Sequence, residues 1–212
     1  YVAGDVMDAA HRERLVEAIE RRWQALDILI NNAGSGSYGP FLEGDAARLR
    51  RNLEVNFIAP AELARICFPN LQRGRRPLLV NVGSVLGHRA VPFKSEYCAA
   101  KFALHGWSDA VRAEWASLGV DVLLVSPSTT ASEFFEQVEV TAGKQRPQPT
   151  TSASRVMTPD EVARQTLRAI RSGRHEIILS WGGKLLVWAD RLAPTWVNRL
   201  LAKTRRADEN QK

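Results

Sequence analysis

The sequence has little that would point to a disulfide-stabilised or metal-binding protein. Only two of its 212 residues are cysteines, Cys67 and Cys98, and they lie far apart. Neither has a histidine or a second cysteine at the spacing of a zinc site. We therefore expect no bound metal and a reducing compartment.

Long hydrophobic runs and blocks of one charge are also absent. No apolar stretch reaches the roughly 20 residues that span a bilayer, and no signal-peptide pattern is present, so the sequence predicts a cytoplasmic protein. The formal net charge is +6, but lysine and arginine are scattered, with only short runs such as residues 73–76. This pattern predicts a solvated basic surface and no nucleic-acid partner.

What the sequence does contain is the pattern of a parallel α/β protein. With 45% hydrophobic residues, the chain can bury one substantial core. Four short apolar runs without alternation are typical of strands buried on both faces, at residues 27–31, 78–82, 120–126 and 176–180. Helical patterns separate them. We therefore predict a Rossmann-like, doubly wound parallel sheet over residues 1–181, with helices on both faces.

Several helix boundaries can also be predicted. The helical spacing covers residues 8–26, and a longer pattern at 45–71 is expected to break near Pro60. Ser95 is the expected N-cap of a further helix. Another should begin with a capping box at Thr158 and stop at Gly173.

Residues 136–157 fit neither a helix nor a strand. They are rich in threonine, serine, glutamine and proline and hold few large apolar side chains. A segment of this length within a compact domain is often functional, so we expect a mobile loop that controls substrate access. A disordered surface excursion is the alternative.

The most informative short segment is SEYCAAKFALHGW, residues 95–107. On a helix, Tyr97 and Lys101 share a face because they lie four residues apart. A nearby ammonium group favours the phenolate, so we expect the pKa of Tyr97 to fall from about 10 toward neutral values. The pair then has the properties of a proton donor beside a positive charge.

Three other motifs precede this pair: NNAG at residues 31–34, NLEVNF with Asn56, and NVGSVLG with Ser84. Together with Tyr-x-x-x-Lys they resemble the classical short-chain dehydrogenase/reductase superfamily, whose members are Rossmann-fold, nicotinamide-dependent oxidoreductases. Ser84 lies 13 residues before Tyr97, and Asn56 lies 28 before Ser84, as the family pattern requires. The resemblance runs from Gly4 to the strand predicted at 176–180.

The resemblance implies a catalytic set. Tyr97 would be the general acid in carbonyl reduction and the general base in alcohol oxidation. Lys101 would hold the nicotinamide ribose, Ser84 would donate a hydrogen bond to the substrate oxygen, and Asn56 would hold a water that links Lys101 to solvent. The alternative is a non-catalytic or membrane-associated scaffold that retains a relic of this site.

The resemblance also implies NADP or NAD as the cofactor and assigns residues to it. These are Asp5 and Val6 for the adenine, Asn31, Ala33 and Gly34 for the turn under the adenosine, and Pro127, Thr130 and Ser132, with Tyr97 and Lys101, for the nicotinamide side. Ser128 stands where the family prefers glycine. If that position requires a positive φ, Ser128 carries a steric cost.

The Gly-rich phosphate-binding turn of the family, T-G-x-x-x-G-x-G, does not occur in the sequence. Residues 1–8 resemble the end of the family's third strand, so we expect two leading βα units to be missing. Either the sequence is part of a longer chain, which we favour, or the protein is a reduced homologue. We favour the first because residues 27–31 would otherwise form an exposed hydrophobic edge strand. The choice between NAD and NADP would depend on the missing segment.

On the substrate side, the resemblance points to a mainly apolar pocket and a hydrophobic or bulky substrate. Its expected lining is His88, Val91, Phe93, Phe134 and Phe135. Residues 182–212 form a basic amphipathic tail that could cover the pocket, pack against a second subunit or rest on a membrane surface. Family members often pair through the helices that hold Asn56 and Tyr97, so we expect a homodimer or homotetramer.

Overall fold

The computed structural model describes residues 1–141, 145–147 and 156–209, with side chains as far as residue 203. The helices in these residues are α1 (Ala9–Arg22), α2 (Ala46–Leu53), α3 (Ala59–Gln72), α4 (Ser95–Ala116), α5 (Pro159–Arg171), α6 (Trp181–Leu192) and α7 (Pro194–Glu209). The strands are β1 (Ile28–Asn31), β2 (Ser37–Tyr38), β3 (Leu78–Val82), β4 (Asp121–Ser126), β5 (Glu139–Val140) and β6 (Glu176–Ile178). The four predicted strands agree with β1, β3, β4 and β6 to within two residues.

The main sheet is parallel, as predicted, with its strands in the order β1, β3, β4, β6. Ile28 pairs with Leu78, Leu78 with Asp121, and Leu124 with Glu176. The carboxyl ends of β1, β3 and β4 therefore meet at one edge, where a doubly wound sheet binds its ligands. β1 is an outer strand of the described sheet, and Ile28 and Ile30 are exposed on it.

Two hydrophobic cores lie on opposite faces of this sheet. On one face, Leu79 and Val122 pack with residues of α1, α3 and α4. On the other, Val80 and Leu123 pack with Ala169 of α5. Neighbouring strand residues thus face different cores, because side chains alternate along a strand. The two-sided arrangement explains the unbroken apolar runs in the sequence.

Three predicted helix boundaries can be compared directly. The capping box at Thr158 is present, and Gly173 has a positive φ of 61° at the end of α5. α1 ends four residues earlier than predicted, because Gln24 adopts a φ of 60°. The prediction for Ser95 is wrong: Ser95 is the first residue of α4, its N-cap position is Lys94, and its hydroxyl donates to Glu96 at 3.2 Å.

The predicted break near Pro60 lies in a different place. Pro60 fits the first turn of α3, where its missing N–H has no cost. The irregularity comes one turn earlier, as a π-helical segment over Glu54–Ile58 between α2 and α3. Such segments are rare and are often found at functional sites.

Part of the predicted 136–157 loop is regular. Residues Glu133–Gln137 form a 3₁₀ turn, and β5 pairs in parallel with β2, so the prediction of no regular structure is wrong at Glu139–Val140. Met157 forms an isolated bridge with Thr130. Residues 142–144 and 148–155 of the expected loop lie outside the described residues.

The two C-terminal helices form a bent pair, α6 followed by α7, joined at Ala193. Val187 and Val197 are buried on their inner side. No helix in residues 1–141, 145–147 and 156–209 is both long and apolar enough to cross a membrane. The inner side of the tail, at Val187 and Val197, therefore packs on the rest of the protein.

Candidate active site

Ser84 and Tyr97 meet beyond the carboxyl end of β3. Ser84 caps a 3₁₀ turn over Val85–Gly87, and its Oγ accepts a hydrogen bond from the Leu86 N–H at 3.1 Å. The Ser84 side chain also lies near enough to the phenol of Tyr97, in the first turn of α4, to lower the pKa of that phenol. The structure therefore brings together two hydroxyl groups that are 13 residues apart in the sequence.

Lys101 lies one helical turn after Tyr97 and is almost fully buried. Its Nζ is 5.8 Å from the centre of the Tyr97 ring and donates a hydrogen bond to the Val82 carbonyl at 2.9 Å. The end of β3 thus fixes the position of the amine. The spacing of four residues places both side chains on one face of α4, as predicted.

Burial dominates the acid–base properties of both groups. It raises the pKa of Tyr97 to about 12, an effect that the Ser84 side chain opposes. It lowers the pKa of Lys101 to about 8. The lowering of the Tyr97 pKa that we expected from Lys101 is not found, because removal of the phenolate from water is the larger effect. At neutral pH the phenol is protonated.

Asn56 is fully buried within the π-helical segment. Its Nδ2 donates to the carbonyls of Ser35 at 2.9 Å and Asn52 at 3.0 Å, while its Oδ1 has no hydrogen-bond partner among the described residues. A Cβ at Gly34 would lie 2.9 Å from this Oδ1 and 3.8 Å from the Lys101 Nζ. The backbone of Gly34 therefore lies between the amide and the amine, where only glycine leaves space.

Three of the residues predicted to hold the adenosine line one cleft near the carboxyl end of β1. They are Val6, Asn31 and Ala33, and the cleft continues along Ile30, Asn32, Val55, Ala59, Pro60 and Leu63. The Asn31 side chain points inward and donates to the Pro60 carbonyl at 3.1 Å and to Asn81 at 2.9 Å. Asp5 is exposed, lies outside the cleft lining and accepts a hydrogen bond from the Met7 N–H.

The segment predicted for the nicotinamide side runs beside the Ser84 turn, because the Pro127 carbonyl accepts a hydrogen bond from the Val85 N–H at 2.9 Å. Thr130 bonds the Ser128 carbonyl at 3.2 Å, and the buried Ser128 Oγ has no partner among the described residues. Ser128 does not have a positive φ, so the expected steric cost is absent. Ser132 is exposed before the 3₁₀ turn.

Of the predicted substrate residues, Phe134 lies closest to the catalytic group: its ring centre is 5.7 Å from that of Tyr97. The Phe135 ring packs edge-on against the Phe134 ring, with 5.8 Å between the two ring centres. Phe93 packs on Tyr38 at 6.0 Å and has a φ of 64°, in the region that disfavours bulky side chains. Val91 is half-buried on the same loop before α4.

His88 is not brought together with these aromatic rings. Its Nε2 lies 2.9 Å from the Glu176 carboxylate and 3.2 Å from the Ser126 hydroxyl, at the ends of β6 and β4. Its ring packs edge-on against His105 at 4.5 Å. The structure therefore places the His88 side chain against Glu176, Ser126 and His105, away from the Phe134 and Phe135 rings.

His105 is a residue of the site that the sequence reasoning missed. The Ser84 N–H donates to its Nε2 at 3.4 Å, and burial lowers its pKa to about 3, so the ring stays neutral. A Cβ at Gly83 or Gly87 would lie 2.3 or 2.4 Å from the same nitrogen. The sequence feature that could have revealed His105 is the pair of glycines on either side of Ser84. Glycine at both positions indicates that a bulky side chain packs closely against this turn.

A buried ion pair, also missed, holds the start of α4. The Arg48 guanidinium bonds the Glu96 carboxylate at 2.6 and 3.1 Å, and both side chains are almost completely buried. Burial acts to raise the pKa of Glu96, but the hydrogen bond and the charge of Arg48 hold it below its usual value. Arg48 also donates to Thr141 at 2.7 Å. The pair links α2 to the residue just before Tyr97.

Residues 1–142 match the family model described as short chain dehydrogenase. The chain belongs to the short-chain dehydrogenase family. This confirms the family that the four motifs predicted.

Two relatives show how much of a family member the chain covers. It is 28% identical to "Ketoacyl reductase HetN" of Nostoc sp. over 214 residues, which covers 98% of this chain and 72% of that protein. It is 31% identical to "Dehydrogenase/reductase SDR family member 7B" of Xenopus tropicalis over 171 residues, 80% of this chain and 55% of the relative. The chain thus spans between about half and three quarters of these relatives.

Solved structures confirm the Rossmann-like fold. A short chain dehydrogenase from Burkholderia cenocepacia in complex with NADP has a TM-score of 0.77 at 23% identity, covering 94% of this chain and 77% of that one. One from Burkholderia phymatum in complex with NAD has a TM-score of 0.78 at 23% identity, covering 91% and 74%. At this identity the likeness establishes the fold.

Proposed function

We propose that this site interconverts a carbonyl and an alcohol, with a nicotinamide cofactor and a bulky apolar substrate. The observation that carries the proposal is the position of Tyr97 and Lys101: the Lys101 Nζ lies 5.8 Å from the centre of the Tyr97 ring, and the Ser84 side chain is near enough to lower the pKa of the phenol. The three groups come from two separate segments, and the relatives named above are described as a reductase and a dehydrogenase/reductase.

In the proposed reaction, Tyr97 gives its proton to the carbonyl oxygen during reduction. The raised pKa keeps the phenol protonated at neutral pH, which suits a proton donor. Ser84 donates a hydrogen bond to the same oxygen as negative charge develops. The ammonium of Lys101 then stabilises the phenolate that Tyr97 leaves behind.

Asn56 is proposed to hold a water next to Lys101. Its Oδ1 is buried without a partner among the described residues and faces the backbone of Gly34, beside Lys101. Buried amide oxygens are normally satisfied by a protein group or an ordered water. Such a water would return a proton toward Tyr97 after each turnover.

The residues present fit two parts of an NAD(P) molecule. The cleft at Val6, Asn31 and Ala33 would accept the adenosine, and Lys101 and Tyr97 would hold the nicotinamide ribose. The unpaired Ser128 Oγ offers a polar partner on the nicotinamide side. When bound, the cofactor supplies or accepts the hydride. The two solved structures do not favour one cofactor, because the Burkholderia cenocepacia protein is in complex with NADP and the Burkholderia phymatum protein with NAD.

The class of substrate is proposed from the aromatic rings beside Tyr97. Phe134 and Phe135 form an apolar wall there. His88, the polar residue of the predicted pocket, is turned toward Glu176. A ketone or aldehyde with a large apolar group fits this wall better than a small charged metabolite.

The experiment is a titration of NADH and NADPH, followed by tryptophan fluorescence, and then a search for cofactor oxidation with bulky apolar ketones. Gly34→Ala should weaken turnover at least tenfold, because its Cβ would press on Asn56. Gly106→Ala is the matched control, since a Cβ there meets nothing within 4 Å. Failure to bind either cofactor, both by this chain and by a longer chain that carries the Gly-rich turn, would contradict the proposal and favour the scaffold alternative.

We also propose that the protein forms a homodimer or homotetramer through α4 and the helical stretch over residues 46–72 that holds Asn56. Ile58, next to α3, and Phe102 of α4 are exposed apolar side chains on these two helices. Sedimentation velocity tests this, with a monomer as the contradicting result.

A further inference from the structure

The outer face of α6 carries an unusually apolar surface. Trp181, Leu185, Trp188 and Leu192 are 84, 72, 67 and 82% exposed. At 100° per residue they fall within a sector of about 60° on one side of the helix. We call these four residues the apolar stripe. Monomeric proteins rarely leave so continuous an apolar patch in water, so the stripe indicates a binding surface.

α7 continues the same character. Trp196 and Leu200, one helical turn apart, are also exposed, while Val197 between them is buried against the protein. The inner faces of α6 and α7 are fixed. Arg89 forms an ion pair with Asp190 at 2.9 Å and also contacts Asn198. Because the inner sides of α6 and α7 pack on the protein, the apolar stripe faces solvent.

The charges around the stripe are basic. Lys184 and Arg191, seven residues apart, lie about 70–90° from the centre of the stripe, on the same side of it, on the helical wheel. Lys184 is 4.8 Å from the centre of the Trp181 ring. Arg199 and Lys203 add two further cations on α7. The one acidic residue between 181 and 203 is Asp190, which already faces Arg89.

We propose that the apolar stripe, with the start of α7, binds the surface of a membrane that contains anionic lipids. Tryptophan and leucine enter the boundary between headgroups and acyl chains, and the flanking cations pair with anionic headgroups. A symmetric dimer through this face would instead bring the rows of cations from two copies together. The binding does not depend on the proposed reaction.

The test is co-sedimentation of the full 212-residue chain with vesicles. The vesicles are phosphatidylcholine alone, or phosphatidylcholine mixed with phosphatidylglycerol. We expect binding to the mixed vesicles that weakens in high salt. The double variant Trp188→Glu/Leu192→Glu should lower the partition coefficient on the order of 100-fold. The variant Lys184→Gln/Arg191→Gln should lower it about tenfold on mixed vesicles only.

The matched control is Trp23→Glu/Leu42→Glu, which changes a tryptophan and a leucine that are 62 and 94% exposed elsewhere. It should bind like the wild type. Quenching of tryptophan fluorescence by lipids with brominated acyl chains gives a second readout, and Trp188→Phe should reduce it. Equal binding by all variants, or no binding to either vesicle, would overturn the proposal. So would a dimer that Trp188→Glu/Leu192→Glu dissociates, if the wild type does not bind vesicles.

Discussion

At the scale of single residues, Lys101 has a cost in stability that its role would explain. Burial lowers its pKa from 10.5 to about 8, so below pH 8 the folded protein holds a poorly solvated ammonium. Between pH 8 and 10.5 the unfolded chain binds more protons than the folded one, and stability therefore rises with pH in that window.

Lys101→Met should consequently raise the free energy of unfolding at pH 7 by about 2 kcal/mol, after allowance for the lost hydrogen bond to Val82. The difference from wild type should shrink between pH 8 and 10.5, while turnover is lost. Urea unfolding at several pH values measures this. A variant that is less stable at pH 7, or a difference independent of pH, would contradict it.

His105 is a second residue whose effect can be separated from catalysis. Because its pKa is lowered to about 3, the unfolded chain takes up a proton below pH 6.5 that the folded protein does not, and stability is lost as the pH falls through this range. His105→Leu removes that loss, but it leaves the Ser84 N–H without its acceptor.

We therefore expect His105→Leu to lower stability at pH 7 by about 1–3 kcal/mol and to flatten the decline between pH 6.5 and 3. Turnover should also fall, since Ser84 is less firmly positioned. The exposed His175 is the control, and His175→Leu should leave the acid profile unchanged. A steep acid decline that survives in His105→Leu would show that other groups cause it.

At the scale of secondary-structure elements, the buried pair of Arg48 and Glu96 fixes α4 against α2. Glu96→Gln would leave the Arg48 guanidinium buried with its charge uncompensated, so we expect a loss of about 3–5 kcal/mol in unfolding free energy. Glu62→Gln breaks a more exposed pair with Arg65 and should cost far less. Chemical denaturation compares the two.

The pH dependence of this pair has the same sign as that of Lys101, but it lies in the acid range. Because Arg48 holds the pKa of Glu96 below 4.5, its stabilisation is complete above that value and is lost as the pH falls through the folded pKa. Equal stabilities of Glu96→Gln and Glu62→Gln at neutral pH would contradict the assignment.

Elements buried on both faces were predictable, because their sequences cannot alternate. β3 and β4 are such cases, whereas β1 was predicted from its apolar run although Ile28 and Ile30 are exposed on it. β2 and β5 were not predictable, since two residues carry no periodicity. The π-helical segment was also missed: its residue Asn56 bonds the Ser35 carbonyl, and no local pattern reports a contact between residues 21 positions apart.

The site was predictable where its spacing in the sequence is fixed. Ser84, Tyr97, Lys101 and Asn56 were found from spacing and resemblance. Arg48 and His105 were not, because their partners lie 48 and 21 residues away and no local pattern connects them. The opposite shift of the Tyr97 pKa follows from its burial, which neighbouring sequence positions do not report.

At the scale of the whole molecule, the two cores hold a parallel sheet whose carboxyl edge carries the proposed catalytic residues, and the C-terminal helices pack beside the Ser84 turn. Val85 of that turn contacts α6, because a Cβ at Gly183 would lie 2.6 Å from the Val85 Cγ1. The proposed membrane-binding face and the proposed active site are therefore joined by a continuous packed segment.

The most direct test compares Tyr97→Phe with wild type in the cofactor-dependent reduction of a bulky apolar ketone. We predict that Tyr97→Phe lowers kcat by about 10²–10⁴-fold, because the proton donor is lost, while the Kd of the cofactor changes little. Tyr38→Phe, which removes a phenol outside the catalytic set, should retain turnover. A Tyr97→Phe variant with a kcat close to that of wild type would contradict the account.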